Sequence, residues 1–169
     1  MDWKLKMEYR LFNNRTGKLE EPITNFSYEK KDNTLVFKFE AFDSSLNSFS
    51  NKNNDAIYNG DVVEVFLDLG DEFYYEFEVA PNGTTFIAKI LNRNIKFIEN
   101  TFFDSNVKVE GNNYFVEMKI DLSKLGGTNK IKFNAFRIET KGKETNYILQ
   151  ALSPTLSDTF HAREKFIKL

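Results

Sequence analysis

The sequence predicts an all-β fold, two antiparallel sheets packed as a β-sandwich of the jelly-roll or immunoglobulin-like kind. Three observations carry this expectation. Short runs that alternate apolar and polar residues recur between turn signals along the chain, as in sandwiches and barrels. Helix-period patterning is nearly absent. Phe occurs 18 times, against one Trp and 7 Tyr, and bulky aromatics suit the inner faces of packed sheets. The 169 residues, 41% of them hydrophobic, are enough for one domain spanning 1–169 with a substantial core. Usual sheet sizes predict about four to six strands in each sheet. An open or closed barrel is the minor alternative.

Taken in order, Trp3 to Leu11 alternates weakly and reads as an edge strand, followed by a turn around Asn13, Asn14 and Gly17. Pro22 to Lys30 holds a second strand. The tight turn Lys31-Asp32-Asn33 leads into Thr34 to Phe42, where Leu35, Phe37, Phe39 and Ala41 alternate with Val36, Lys38 and Glu40, the pattern of a half-buried strand. Ser44 to Asn59 is a long polar loop with Leu46 and Phe49 as pins, and loops of this length in a domain are often functional.

The centre of the chain is Tyr58 to Gly83. Two alternating runs, Asp61 to Asp68 and Phe73 to Ala80, flank a loop containing Gly70, which is an antiparallel hairpin pattern. Pairing Val63 with Val79, Val65 with Phe77 and Leu67 with Tyr75 gathers most of the large apolar residues on one face. It sets Glu64 opposite Glu78 and Phe66 opposite Glu76 on the other. A slip of one residue would mix the faces, so the apolar pattern fixes the register. Pro81-Asn82-Gly83 turns into a strand over Thr84 to Leu91, and Asn92 to Thr101 reads as loop with a short extended piece. Val107 to Val109, Tyr114 to Ile120, Ile131 to Glu139 and Tyr147 to Leu152 are further strands. Asp121 to Lys124 forms one helical turn with Asp121 as N-cap and Gly126 near its end, and Phe166 to Leu169 returns to the sheet.

Like charges directly opposed on a sheet are unfavourable. Glu64 facing Glu78 therefore needs a cation, a donor-rich ligand or a basic neighbour. Either Arg137 or a lysine on an adjacent strand neutralises the pair, or the polar face forms a cleft that receives a ligand. As cross-strand neighbours the two carboxylates would also lie near the separation of roughly 5 Å used by retaining glycosidases. The chain carries no surrounding acid/base apparatus, no Ser/His/Asp pattern and no phosphate-binding glycine loop, so catalysis is not expected.

The segments D-V-V-E-V-F-L-D, Y-Y-E-F-E-V-A-P-N-G, N-A-F-R-I-E and S-P-T-L-S-D-T-F-H, in that order, resemble the family 9 carbohydrate-binding modules and, more broadly, the DOMON-like β-sandwich superfamily. The resemblance runs from about Pro22 to the C-terminus. It implies a carbohydrate ligand held without chemistry, accessory to a glycoside hydrolase or another part of a glycan-degrading system, in an extracellular or cell-surface protein of a bacterium. In such modules paired aromatics sandwich a sugar, helped by acidic, basic and amide side chains. Transferred by position, Tyr58 is the first aromatic and Glu64 the acidic acceptor. Glu78 stands where a basic residue is expected. Where the second aromatic belongs, after Tyr147, stand Gln150, Ala151 and Leu152, of which Gln150 is the hydroxyl partner. Arg137 is a further donor to a ligand, or a salt-bridge partner for Glu64 or Glu76. The alternative is a structural or protein-interaction domain that has lost the sugar platform.

The resemblance also admits a structural calcium. Asp61, Asp68, Asp71 and Glu72 offer the oxygens such an ion takes, although their spacing matches no tight calcium loop. DOMON-type cytochromes hold haem through Met and His. Here the methionines are Met1, Met7 and Met118 and the single histidine is His161, so a core methionine and a loop histidine bonded to backbone are the simpler expectation.

A formal net charge of −2 gives no basic footprint for nucleic acid or anionic membrane. No apolar run approaches the length of a membrane span. The stretch Met1 to Arg10 is charged and lacks the apolar region of a signal peptide, so an intracellular protein or a mature or excised domain is expected. With no cysteine, disulfides, thiolate zinc sites and cysteine nucleophiles are excluded.

Overall fold

Alternation at period two becomes strand almost wherever it occurs. The computed structural model describes residues 7–42, 45–126, 130–140 and 147–169. Its strands are β1 (Tyr9–Arg10), β2 (Phe12–Asn13), β3 (Thr24–Lys31), β4 (Thr34–Ala41), β5 (Val62–Asp68), β6 (Tyr74–Val79) and β7 (Thr85–Leu91). There follow β8 (Asn94–Phe97), β9 (Phe103–Glu110), β10 (Asn113–Asp121), β11 (Lys132–Glu139), β12 (Ile148–Ala151) and β13 (Ile167–Lys168). Among the described residues the only helical pieces are 3-10 turns at Ile57–Asn59, Leu122–Leu125 and Arg163–Lys165.

The strands form two antiparallel sheets. One has five strands in the order β1-β3-β4-β10-β9. The other has eight, in the order β2-β12-β11-β5-β6-β7-β8, with β13 pairing β11. The second exceeds the expected size because two-residue strands join it at β2 and β13. Between the sheets lies the main core, where Phe26, Phe37 and Phe39 of the small sheet meet Val65, Phe77, Phe133 and Ala135 of the large one.

The predicted central hairpin is observed in its predicted register. Val63 pairs with Val79, Glu64 with Glu78, Val65 with Phe77, Phe66 with Glu76 and Leu67 with Tyr75. Every residue of β5 and β6 is nonetheless buried. The reason is a second apolar layer on the outer face of the large sheet, where Ile57, Val62, Phe66, Phe86, Phe136, Phe160 and Phe166 pack together. The chain after β12 folds back over that face and covers it.

Local chemistry sets the turns. Asp121 caps the 3-10 turn as expected, its carboxylate accepting from Ser123 N at 3.1 Å, and Gly126 closes it with φ of 86°. Asn92 and Arg93, with φ of 50° and 66°, make a two-residue turn of the kind that suits a hairpin. This turn extends the sheet into β8, the edge strand that the sequence pattern shows only as a short extended piece. The early edge strand is reduced to β1, with Trp3 to Lys6 outside the described residues.

Candidate functional site

The outer face of the large sheet holds three glutamates side by side. Glu64 comes from β5, and Glu76 and Glu78 come from β6, two residues apart and therefore on one face. One carboxylate oxygen from each lies within 4.8 Å of the others. Phe136 stands beyond Glu64 in its cross-strand row and Phe86 beyond Glu78, while Phe66 and Ala88 flank Glu76. Glu64 is 2% exposed and Glu78 0%. Glu64 Oε2 and both oxygens of Glu78 meet no N–H or hydroxyl donor, and the carboxyls' polar contacts are with one another. Burial pushes all three carboxyls well above the ordinary glutamate range, and repulsion from neighbouring carboxylates adds to it.

A cavity of about 310 Å³ opens over this cluster. Its floor is Glu64, Phe66 and Glu76, with Tyr58, Phe86 and Ile95 on one side and Ile138, Leu149, Asp158, Thr159, Phe160 and His161 on the other. Tyr58 is 39% exposed and rests edge-on against Phe86, ring centroids 6.0 Å apart. Burial and the nearby glutamates keep its phenol neutral. The long loop before β5 delivers it. Ile57 is sunk in the outer core, and Gly60 lets the loop fold tightly, since a Cβ there would lie 2.6 Å from Phe49 N and 2.7 Å from Asn47 O. Leu46 pins the loop as expected, packed on the main core, whereas Phe49 is exposed.

The opposite wall comes from the stretch after β12, held by amides. Buried Asn14 accepts from Thr155 N at 2.9 Å and donates to Thr155 Oγ1 at 2.8 Å and Ser157 O at 3.0 Å. Asn134 accepts from Ser153 N at 3.0 Å and donates to Ser153 O at 2.8 Å. Arg15 pairs with Asp158. Held this way, Phe160 stacks on Phe136 at 4.2 Å and His161 on Phe66 at 4.9 Å. His161 also hydrogen-bonds the Tyr74 hydroxyl through Nδ1, and burial, with the Arg93 charge behind it, lowers its pKa and keeps it neutral.

The structure divides the residues that the sequence singles out. Tyr58 and Glu64 line the cavity, whereas Glu78 lies buried beside Glu64 and does not reach the cavity surface. Arg137 and Gln150 are absent from it, because strand alternation turns both to the opposite face, between the sheets. Arg137, 0% exposed, donates to Thr24 Oγ1 at 2.9 Å and Phe42 O at 2.7 Å. Gln150 accepts from Thr24 Oγ1 at 2.5 Å and donates to Pro22 O at 2.6 Å. The pairing of Arg137 with Glu64 or Glu76 is therefore replaced by a buried network fastening one sheet to the other. Phe160 and His161, in the S-P-T-L-S-D-T-F-H segment, bring aromatic rings to the cavity wall. Glu76, Phe66 and Phe86 also line the cavity; Glu76 shares Glu78's parity in the hairpin register, a signal the sequence already contained.

Of the acidic quartet expected near a loop, Asp61 lies apart, while Asp68, Asp71 and Glu72 gather on Arg163. Asp61 accepts from Asn47 N and Thr140 N, both at 2.8 Å. Asp68, about 20 Å further along the strand, receives two bonds from Arg163 at 2.8 and 2.9 Å. The backbone oxygens of Asp71 and Glu72 accept from the same guanidinium. Met118 lies in the core between the sheets and His161 on the outer face, so the two cannot share an axial site. Met1 lies outside the described residues.

A family model described as carbohydrate family 9 binding domain-like matches residues 2–154. The chain belongs to this family. Among solved structures, the family 9 domain is similar to a candidate carbohydrate-binding protein from Bacteroides uniformis, with a TM-score of 0.80 at 17% identity over 96% of this chain and 85% of that one. It is also similar to a family 9 module from Caldicellulosiruptor kristjanssonii in complex with glucose, TM-score 0.69 at 20% identity, covering 94% and 81%. A complex of a family 9 module from that organism with cellotriose gives 0.63 at 21%, covering 86% and 71%. At these identities the likeness shows a shared fold. An extracellular protein of the fungus Arthroderma benhamiae is 38% identical over 76 residues, 42% of this chain and 34% of that protein. The family 9 domain thus spans about a third of that curated relative.

Proposed function

We propose that this domain binds carbohydrate without transforming it, taking a sugar residue into the cavity between Tyr58 and Phe160. The observation that carries the reading is the apposition of aromatic walls above a floor of acceptor oxygens. Aromatic faces suit the apolar side of a pyranose, and carboxylates accept from its hydroxyls. Family membership supports it, as do the glucose and cellotriose bound by structures of the same fold.

Recognition without chemistry fits the placement of the acids. Glycoside hydrolysis uses carboxyl groups flanking the scissile bond, whereas Glu64, Glu76 and Glu78 all rise from one floor. As an accessory to a glycoside hydrolase, outside the cell, such a domain would hold an enzyme on its substrate. The extracellular fungal relative is consistent with that setting.

Calorimetric titration with glucose and cello-oligosaccharides tests the reading, with Tyr58→Ala as the discriminating variant. One base–aromatic stacking contact is worth about 1–3 kcal/mol, and a comparable sugar–aromatic contact predicts an affinity loss of about five- to a hundred-fold or more with the fold intact. A folded wild-type protein that binds no glycan, or a variant of unchanged affinity, refutes the assignment.

A further inference from the structure

We infer that Glu64, Glu76 and Glu78 form a divalent-cation site of the calcium class in the floor of the cavity, and that the cation offers its remaining coordination positions to vicinal sugar hydroxyls. The second half rests on the carbohydrate reading; the first half does not. Three separate features lead here.

The first is geometry. Oxygens no more than 4.8 Å apart share a central point about 2.8 Å or less from each, and small side-chain rotations bring that to the 2.3–2.6 Å of a calcium–oxygen bond. The second is the lack of any other partner. Glu64 Oε2 and both Glu78 oxygens are buried without an N–H or hydroxyl donor, the polar contacts of the three carboxyls are with one another, and among the described residues the three glutamates make no ion pair. Among the described residues no lysine or arginine lines the cavity, and the flanking positions on the sheet are Phe136, Phe86, Phe66 and Ala88. Buried carboxylates are held by pairing, by protonation or by a metal.

The third is the donor set and its opening. Carboxylate oxygens alone, with no sulfur and no nitrogen, match a hard cation. Three carboxylates leave part of a six- to eight-oxygen shell unfilled, and that part faces the cavity, because Glu64 and Glu76 both line it. A sugar seated between Tyr58 and Phe160 would bring neighbouring hydroxyls to the same point. The cation would then neutralise the floor and orient the ring.

The test is calorimetric titration of calcium chloride into the full chain stripped with chelator, with magnesium chloride alongside, followed by cellotriose with and without calcium. The expected result is saturable one-to-one calcium binding, with magnesium weaker because its octahedral shell is smaller and less adaptable. Glu64→Gln and Glu78→Gln should each weaken calcium by about tenfold or more, as losing even an outer-shell partner of a metal costs ten- to a hundred-fold, with circular dichroism unchanged. Cellotriose should bind about tenfold or more tightly with calcium than with chelator. Absence of calcium binding by folded protein overturns the site, and so does calcium binding that both variants retain. Equal cellotriose affinity in both buffers overturns the bridging role. Calcium binding with no glycan bound in either buffer refutes the carbohydrate reading and leaves the cation site standing.

Discussion

Replacing Glu78 by glutamine should stabilise the domain when no divalent cation is present. The Glu78 side chain is fully buried, both of its oxygens lack an N–H or hydroxyl donor, and its β5 neighbour is another acid, Glu64. Glutamine keeps the shape, removes the repulsion between paired acids and supplies an N–H donor beside the Glu64 carboxyl. A buried polar group without a partner costs about 1–3 kcal/mol, so the exchange should recover about 2 kcal/mol. In a domain of this length 1 kcal/mol moves the melting temperature by about 2–4 °C, which predicts a rise of about 4–8 °C. Scanning calorimetry in chelator at neutral pH measures it. With saturating calcium the order should reverse, since the variant loses a ligand that wild type keeps. A lower melting temperature in chelator would refute the reasoning, because it would mean that the carboxylate has a stabilising partner that its surroundings do not show.

Three further perturbations separate structural from ligand-binding roles. Arg137→Ala should destabilise the fold by about 3–5 kcal/mol, as breaking a buried charged network does, while glycan affinity of the folded fraction stays at wild type; denaturant titration and calorimetry read the two effects. Gly60→Ala should weaken glycan binding and lower the melting temperature together, because the added Cβ meets Phe49 N at 2.6 Å and the loop carrying Tyr58 must shift; an unchanged affinity would mean the loop does not position that ring. Asp68 titrates low because it accepts hydrogen bonds from Arg163. Its pairing therefore adds stability above the ordinary aspartate pKa of about 3.9 and loses it as pH falls through the depressed folded value. Asp68→Asn should flatten that acid limb in a melting-temperature series, with an effect of about 1 kcal/mol or less because the pair is partly exposed.

Most of the fold was legible because its period-two contrast is strong where one face is buried and the other is wet. Leu35, Phe37, Phe39 and Ala41 alternate with half-exposed residues along β4 without a break. The hairpin register followed from apolar parity, Val63, Val65 and Leu67 against Val79, Phe77 and Tyr75, although both faces of that hairpin are buried. The edge strand β8 was less legible because Ile95 and Phe97 are half-exposed and its pattern of four residues is too short to stand out. At the site the split is instructive. Residues tied to the hairpin, Glu64 and Glu78, could be placed by parity alone. Arg137 and Gln150 could not, because their neighbours on both faces are buried and the alternation that reveals orientation is lost. Phe160 and His161 lie in a segment without regular structure, where no periodicity points a side chain anywhere; the bonds to Asn14 and Asn134, the Arg15–Asp158 pair and the Tyr74–His161 bond fix it.

The large sheet asks its central strands to satisfy two faces at once. The inner residues of β5 and β6 hold the sandwich together, while the outer ones put three acids under an aromatic cavity. Rigidity on one side serves recognition on the other: a floor set by strand pairing cannot relax away from its own repulsion. That is why the acids stay close enough to share one cation. On the neighbouring strands β11 and β12, Arg137 and Gln150 face inward, paired with each other across the strands and in line with Val63 of β5. There they find fixed partners in Thr24, Pro22 and Phe42, and on the outer face the floor of the cavity is left to Glu64 and Glu76.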